Sequence, residues 1–386
     1  MKYRKGMFVP FFNGHVSLAD SHALYAICPG KGYPMVDIGK ELYGGEDATY
    51  DYRIGSYRGI GAASSCDRQL LDRSSSGAMI PAVAHYLLEN KRVDGVVTVK
   101  FGYGNGLHPV PFIATTKSDL IESQGSKYMP VPLLEIIDTI ENFPGRLAVI
   151  GTPCQIAGLR LCQQKSGKLK EKIKYTIANF CGGFRDFRET ERIVGICGLD
   201  KSKIAYLTYR GNGQPGMMTI RQKDGKQAQL KYPDYARLTG YIKHYRCRTC
   251  IDATGELADI SFGDAWLPRF LDSGRKWSFY VCRSREMQEI LRDMQTRKKT
   301  LFETISNEEL YASQRGNLTT KKERQTSRYA LYRLLGKRLP DFGNGGYNPH
   351  KTGLALELKV HTVHNAMYLL ERLRLYGIVS KLLKRT

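Results

Sequence analysis

Four cysteines stand where thiolates could meet. Cys154 follows the apolar run 147-LAVIG-151 through Thr152-Pro153, at the turn from a strand into a helix. Cys181 closes the run 175-YTIANF-180 and precedes Gly182-Gly183. Cys247 and Cys250 form a Cys-x-x-Cys pair, whose thiolates point at one centre when the chain turns tightly. Four thiolates are the usual demand of a structural zinc or an iron–sulfur cluster. Taken singly, Cys154 and Cys181 also suit the role of small buried thiols. Pro153 and the glycine pair, however, give both positions the tight, exposed backbone that metal ligands occupy. Cys66, Cys162, Cys197 and Cys282 have no such setting and read as core or surface thiols. Nine cysteines, an odd number scattered unevenly over 386 residues, do not make a disulfide scaffold. The residues alone leave zinc and iron–sulfur open.

Three polar segments offer softer chemistry. Ser74-Ser75-Ser76-Gly77 opens a helix and presents amides and hydroxyls to a phosphate; ordinary N-capping explains the serines as well. Gln124-Gly125-Ser126-Lys127-Tyr128 sets a hydroxyl and a cation after a glycine turn, which suits an anionic cofactor or a plain polar loop. Gly102-Tyr103-Gly104-Asn105-Gly106 lacks both the dinucleotide fingerprint and the Walker lysine. The eight histidines have no metal-ligand spacing, and no residue stands out as catalytic.

The elements that must position these residues follow from periodicity. AMIPAVAHYLLE reads as an amphipathic helix capped by the serines, with Ile80, Val83, Tyr86 and Leu87 on one face. Gly95–Val99 reads as a buried strand. VPLLEIIDTIEN (131–142) is expected to be helical, 147–151 a strand, about 155–164 a helix and 175–180 a strand. This alternation predicts an α/β fold, with a central, mainly parallel sheet flanked by helices. Ligands of such a sheet sit beyond the carboxyl ends of its strands, so Cys154 and Cys181 would face one crevice. Period-2 segments broken by Gly-Asn-Gly and Lys-Asp-Gly over 203–232 predict β-hairpins, and 258–266 and 278–282 read as strands. The expected divisions are 1–65, an α/β core over 66–200, an α+β region with hairpins over 201–300, and a basic helical tail over 301–386. In the tail, a helix of roughly 356–383 carries Val363, Met367, Leu370 and Leu373 on one face, with Arg372, Arg374, Lys381, Lys384 and Arg385 nearby.

No apolar run reaches the length of a membrane span, and the N-terminus lacks a cleavable leader, so a cytoplasmic protein is expected. The formal charge is +22, with 59 Lys and Arg spread along the chain. No nucleic-acid-binding signature accompanies it, so no nucleic-acid partner is expected. Anionic substrates, an acidic donor protein or peripheral contact of the basic C-terminal helix with an anionic membrane suit it better.

Five segments together resemble one family, the beta subunits of coenzyme F420 hydrogenases and dehydrogenases with their bacterial and plant relatives. They are RSSSGAMIPAVAHYLLE (73–89), SQGSKYMPVPLLEII (123–137), AVIGTPCQIAGLR (148–160), NFCGG (179–183) and CRTCIDATGELADISFGDAW (247–266), in order along the chain. The resemblance implies an oxidoreductase with FAD and a 4Fe–4S cluster, in which the flavin exchanges a hydride with an organic partner. That partner is coenzyme F420 in archaeal relatives and a chlorophyll intermediate in a plant relative; bacterial relatives are associated with cell-surface polysaccharide biosynthesis. Carried over, Cys154, Cys181, Cys247 and Cys250 become the cluster ligands, and Ser75, Ser76, Gly77, Ser126 and Lys127 the candidates for holding FAD. Many relatives begin with two ferredoxin-like cluster motifs. Here Cys28-Pro29-Gly30 is what survives, with Leu24, Ser21 and Leu18 at the earlier positions, so 1–65 reads as a degenerate remnant. Electrons would then come from an external low-potential donor, a ferredoxin-like protein or a reduced coenzyme. Ala78 also stands where relatives commonly carry a second glycine. The alternative is a non-catalytic partner protein in polysaccharide assembly, its metal site kept for folding.

Overall fold

The computed structural model describes residues 2–4, 6–103, 107–211, 213–235 and 243–373. Its centre is an eight-stranded sheet of β1 (Gly59–Ser65), β2 (Gly95–Gly102), β3 (His108–Ala114), β4 (Leu147–Gly151), β5 (Ile173–Asn179), β6 (Ile260–Asp264), β7 (Ser278–Cys282) and β8 (Thr300–Glu303), in the order β8-β1-β7-β6-β5-β4-β2-β3. The middle four strands, β6, β5, β4 and β2, run parallel, as the helix–strand alternation predicts. The flanking pairs are antiparallel.

Alternation along the buried strands feeds two cores. Val96, Ala148 and Ile177 point to one face with Met79, Val83 and Leu87, while Val97, Val149 and Ala178 point to the other with Ile156, Leu159 and Leu161. The helices Met79–Glu89 and Pro153–Gln163 cover these opposite faces. A strand covered on both sides is largely apolar, which is why these strands read as nearly continuous runs. Each buried Val, Leu or Ile contributes roughly 1.5–3 kcal/mol against exposure. β3 carries Pro109 and Pro111 and escaped the sequence reading. It is tolerated because it is an edge strand, paired with β2 alone.

The expected hairpins exist as a three-stranded antiparallel sheet, Ile204–Gly211, Met217–Gln222 and Gln227–Lys231. Two local readings need correction. The serines do not cap the helix Met79–Glu89: Ala78 does, in a left-handed conformation (φ 56°), with no side-chain bond to the helix. Residues 131–142 are not one helix but a 3-10 turn, Leu133–Ile136, followed by the helix Ile137–Asn142. Pro132 keeps Val131 extended, and its carbonyl accepts the i+3 amide of Glu135 at 2.9 Å.

Residues 301–353 pack back on the Cys-x-x-Cys turn. Gln325 and Tyr329, on the helix Gln325–Leu334, donate to the Thr249 carbonyl at 3.0 and 2.7 Å, and Arg328 donates to the Arg248 carbonyl at 2.9 Å. The final helix, Leu354–Arg372, docks on it through polar groups, so Val363, Met367, Leu370 and Leu373 do not share one fate. Glu357 is buried, accepts from Arg328 at 2.8 and 3.0 Å and pairs with Arg324, and Met367, further along the helix, is buried as well. Leu354, Leu358, Val363, Leu369 and Leu373 are exposed. Arg374, Lys381, Lys384, Arg385 and Gly104-Asn105-Gly106 lie outside the described residues. Among the described residues no helix is long and apolar enough to cross a membrane.

Candidate functional site

The sheet register defines a single functional edge. Asp264 of β6 lies opposite Ser278 of β7, Ser278 opposite Ala63 of β1, and Ser65 opposite Thr300 of β8. The carboxyl ends of β2, β4, β5, β6 and β1 therefore share one rim.

Cys154 is the second residue of the helix that leaves β4. Thr152 donates from its amide and its hydroxyl to Gln155 Oε1 at 2.8 and 3.0 Å, which fixes the helix entry, and Thr152 Oγ1 lies 3.4 Å from Cys154 Sγ. Cys181, two residues past β5, donates its amide to the Ala253 carbonyl at 2.9 Å and accepts at Sγ from the Gly183 amide at 3.3 Å. Gly183 has φ +112°, and a Cβ there would stand 3.1 Å from Cys247 Cβ, so only glycine lets the two cysteine loops approach. Cys247 lies on the short helix Tyr245–Thr249, and Cys250 follows it, 3.6 Å from Lys321 Nζ.

The four thiols share one electrostatic neighbourhood. Burial pushes Cys154 up to about 12, with Cys181, Cys250 and Cys247 adding to it, although one side stays open to solvent. Burial likewise pushes Cys247 up to about 12, reinforced by Cys181. Cys250 is raised by burial while Lys321 pulls it down. At Cys154 and Cys247 the neutral thiol is thus favoured unless positive charge arrives, which is what a metal centre supplies. Among the described residues, no three His, Cys, Asp or Glu side chains are grouped closely enough to hold a single metal ion. Around one zinc, sulfurs at about 2.3 Å from the metal stand only about 3.8 Å apart; each ligand of a cluster binds a different iron, and the sulfurs stand wider.

The flavin candidates reach the same rim, in two groups. Gly77 is wedged against β1 and β7: a Cβ would lie 2.4 Å from the Ala63 carbonyl oxygen and 2.7 Å from the Ser278 amide. Ser76 Oγ accepts from Ser278 Oγ at 3.2 Å, and Ser75 is half-buried beside it. Lys276 donates to the carbonyls of Leu71 and Ser74 at 2.8 and 2.7 Å, pinning the loop from below. Ser126 and Lys127 lie near the end of β2. Lys127 Nζ donates to the carbonyls of Ser123 and Gly125 at 2.7 and 3.0 Å and sits over the Phe101 ring, and burial lowers its pKa to about 7. Gln124, donating to the Leu70 carbonyl at 2.9 Å, joins the two groups.

Sequence reasoning missed a buried cation at the end of β6. Arg210, on the strand Ile204–Gly211, pairs with Asp264 at 2.6 Å and lies over the rings of Tyr232 and Trp266, which stack on each other at 5.8 Å. Its Nη2 is buried and has no hydrogen-bond partner among the described residues. The signal was 261-SFGDAW-266, which was matched as a motif without a role for its Asp and Trp. Cys28 is exposed. The short 3-10 helix Pro29–Lys31 after it is held by Arg246, next to Cys247, which donates to the Gly30 carbonyl.

A mixed sheet with cysteines along the carboxyl rim defines an α/β protein built around a thiol-lined centre. Two family descriptions, the N-terminal and the C-terminal part of the coenzyme F420 hydrogenase/dehydrogenase beta subunit, match residues 60–138 and 145–308. The chain belongs to this family, a family of oxidoreductase subunits. It is 26% identical over 218 residues to the coenzyme F420 hydrogenase subunit beta of Methanococcus voltae, covering 56% of this chain and 75% of that one. With the same subunit of Methanothermobacter thermautotrophicus it shares 27% over 266 residues, covering 67% and 87%. It also matches the coenzyme F420-dependent sulfite reductase of Methanocaldococcus jannaschii, at 24% over 282 residues, but spans only 42% of that protein's length. A chain of the F420-reducing [NiFe] hydrogenase complex from Methanosarcina barkeri shares the fold, with a TM-score of 0.61 at 19% identity over 76% of this chain and 100% of that one.

Proposed function

We propose that this chain is an electron-transferring oxidoreductase whose Cys154, Cys181, Cys247 and Cys250 hold a 4Fe–4S cluster, with FAD along the same rim. When bound, the cluster would supply single-electron transfer, and the flavin would couple it to hydride exchange with coenzyme F420 or another small organic substrate. The observation that carries this reading is the meeting of four thiols at one rim, brought there by separate stretches of chain, with a buried ammonium facing them. Gly183 permits the close approach, Thr152 and Gln155 fix the helix that bears Cys154, and Gln325 and Tyr329 brace the Cys-x-x-Cys turn. Lys127 would meet an anionic cofactor, since a phosphate beside it would restore the charge that burial disfavours. Buried Arg210, paired with Asp264, would orient the acidic or carbonyl end of a substrate beside Trp266.

An external low-potential donor, a ferredoxin-like protein or a reduced coenzyme, would deliver electrons, and the positive surface suits an acidic one. We place this activity in the cytoplasm, in cell-surface polysaccharide biosynthesis, with the last helix touching an anionic membrane through its exposed leucines.

Protein purified without oxygen should absorb broadly near 400 nm, contain about four irons and four sulfides per chain, and release FAD on denaturation. Colourless protein holding only zinc would sink the proposal. That result would favour a second reading, a non-catalytic metal-stabilised partner in polysaccharide assembly. Two observations favour it: Gly77 is filled by backbone contacts, and Lys127 is satisfied by its own loop.

A further inference from the structure

Lys321 and Lys322 are consecutive and both buried, at 3% and 0% exposure. They lie on one π-helical turn, Thr319–Glu323, a rare form of helix that recurs at functional sites. This turn follows the family-matched residues, which end at 308. Lys322 has an ordinary explanation: it pairs with the Glu256 carboxylate and donates to the Gly346 carbonyl at 2.6 Å. Lys321 does not. Its ammonium donates to the Asp252 backbone carbonyl at 2.6 Å and to Cys250 Sγ at 3.6 Å, and among the described residues it forms no ion pair with a carboxylate. The Asp252 carboxylate is turned away, accepting from the Gly255 amide at 2.7 Å.

A buried ammonium is costly unless negative charge stands beside it, and the side chain that Lys321 meets is a thiol. Lys243 donates to the Gly182 carbonyl at 3.0 Å, next to Cys181, so a second lysine stands at the centre.

We propose that Lys321 is the charge-balancing residue of the thiolate centre: a fixed positive charge, delivered by the π turn, that offsets the negative charge gained on reduction and so sets the reduction potential. The proposal rests on the reading of the four cysteines as cluster ligands. On reduction a bound cluster with its thiolates would take up one electron and one unit of negative charge, with no bond formed or broken, and Lys321 would hold its positive charge beside them. The external donor is the reductant.

The test is an anaerobic redox titration of the full chain, followed by electron paramagnetic resonance, with iron and sulfide assayed on each sample. Lys321→Gln keeps a donor for the Asp252 carbonyl but removes the charge. It should shift the reduction equilibrium at least tenfold towards the oxidised form, about 59 mV for one electron. Lys321→Arg should stay within that margin. Iron lost in the Gln variant but kept in the Arg variant also supports a charge role. An unchanged potential in Lys321→Gln, an equal shift in both variants, or iron lost from both while the fold persists would overturn it. Wild-type protein without iron and sulfide would overturn the cluster reading itself, and this proposal with it.

Discussion

Gly77 and Ala78 adjoin on the rim and obey opposite constraints. Gly77 has no room for a methyl, because the Ala63 carbonyl and the Ser278 amide fill that space. Gly77→Ala should therefore destabilise the protein by about 1–3 kcal/mol, read as a fall in thermal midpoint, whether or not flavin is present. Ala78 adopts a backbone conformation that glycine favours. The strain of about 1–2 kcal/mol is offset by the burial of its methyl and by the lower entropy of the unfolded chain, so alanine survives there. Lys127 makes a different prediction. Its folded pKa of about 7 lies below the unfolded lysine value, so the unfolded chain binds more protons between the two. Stability should rise as pH climbs from about 7 towards 10, and Lys127→Met should flatten that rise in chemical-denaturation curves. A slope identical in both proteins would contradict the burial argument.

At the scale of elements, the last helix is turned with its polar side inward. Glu357 meets Arg324 and Arg328, while a row of leucines faces out. Glu357→Gln leaves two largely buried guanidiniums without their carboxylate, and breaking such a pair costs about 3–5 kcal/mol. Amide hydrogen exchange should then speed up selectively over 354–372, with the central sheet unchanged. The sequence could not reveal this orientation. Helical periodicity finds the apolar stripe but says nothing of which side docks, and the docking partners here are charges from residues distant in sequence. The strands were more legible. Val96–Val99 and 147–151 carry no charged residue because both of their sides are covered, whereas β3 was hidden by prolines that only an edge strand accepts. For the site, Cys154 and Cys181 were visible from their places at strand ends. Lys321 and Arg210 were not, because a buried cation looks in sequence like any of the other surface lysines and arginines.

Over the whole molecule, the +22 charge and the exposed Leu354, Leu358, Leu369 and Leu373 are separate surface features that meet in one expectation. The protein should sediment with vesicles containing phosphatidylglycerol and phosphatidylcholine and less with phosphatidylcholine alone, and Leu358→Glu should weaken the binding. Equal recovery with both vesicle types and the variant would remove the membrane contact from the account. At the rim, chain segments from 154 to 321 converge on one thiol centre. Its most direct test is the iron and sulfide content of anaerobically prepared single-alanine variants of Cys154, Cys181, Cys247 and Cys250, with Cys282→Ala, a buried thiol elsewhere, as control. Each of the four should lose most of its iron while Cys282→Ala keeps the wild-type content. Iron retained in any two of the four, or lost equally from the control, would contradict it.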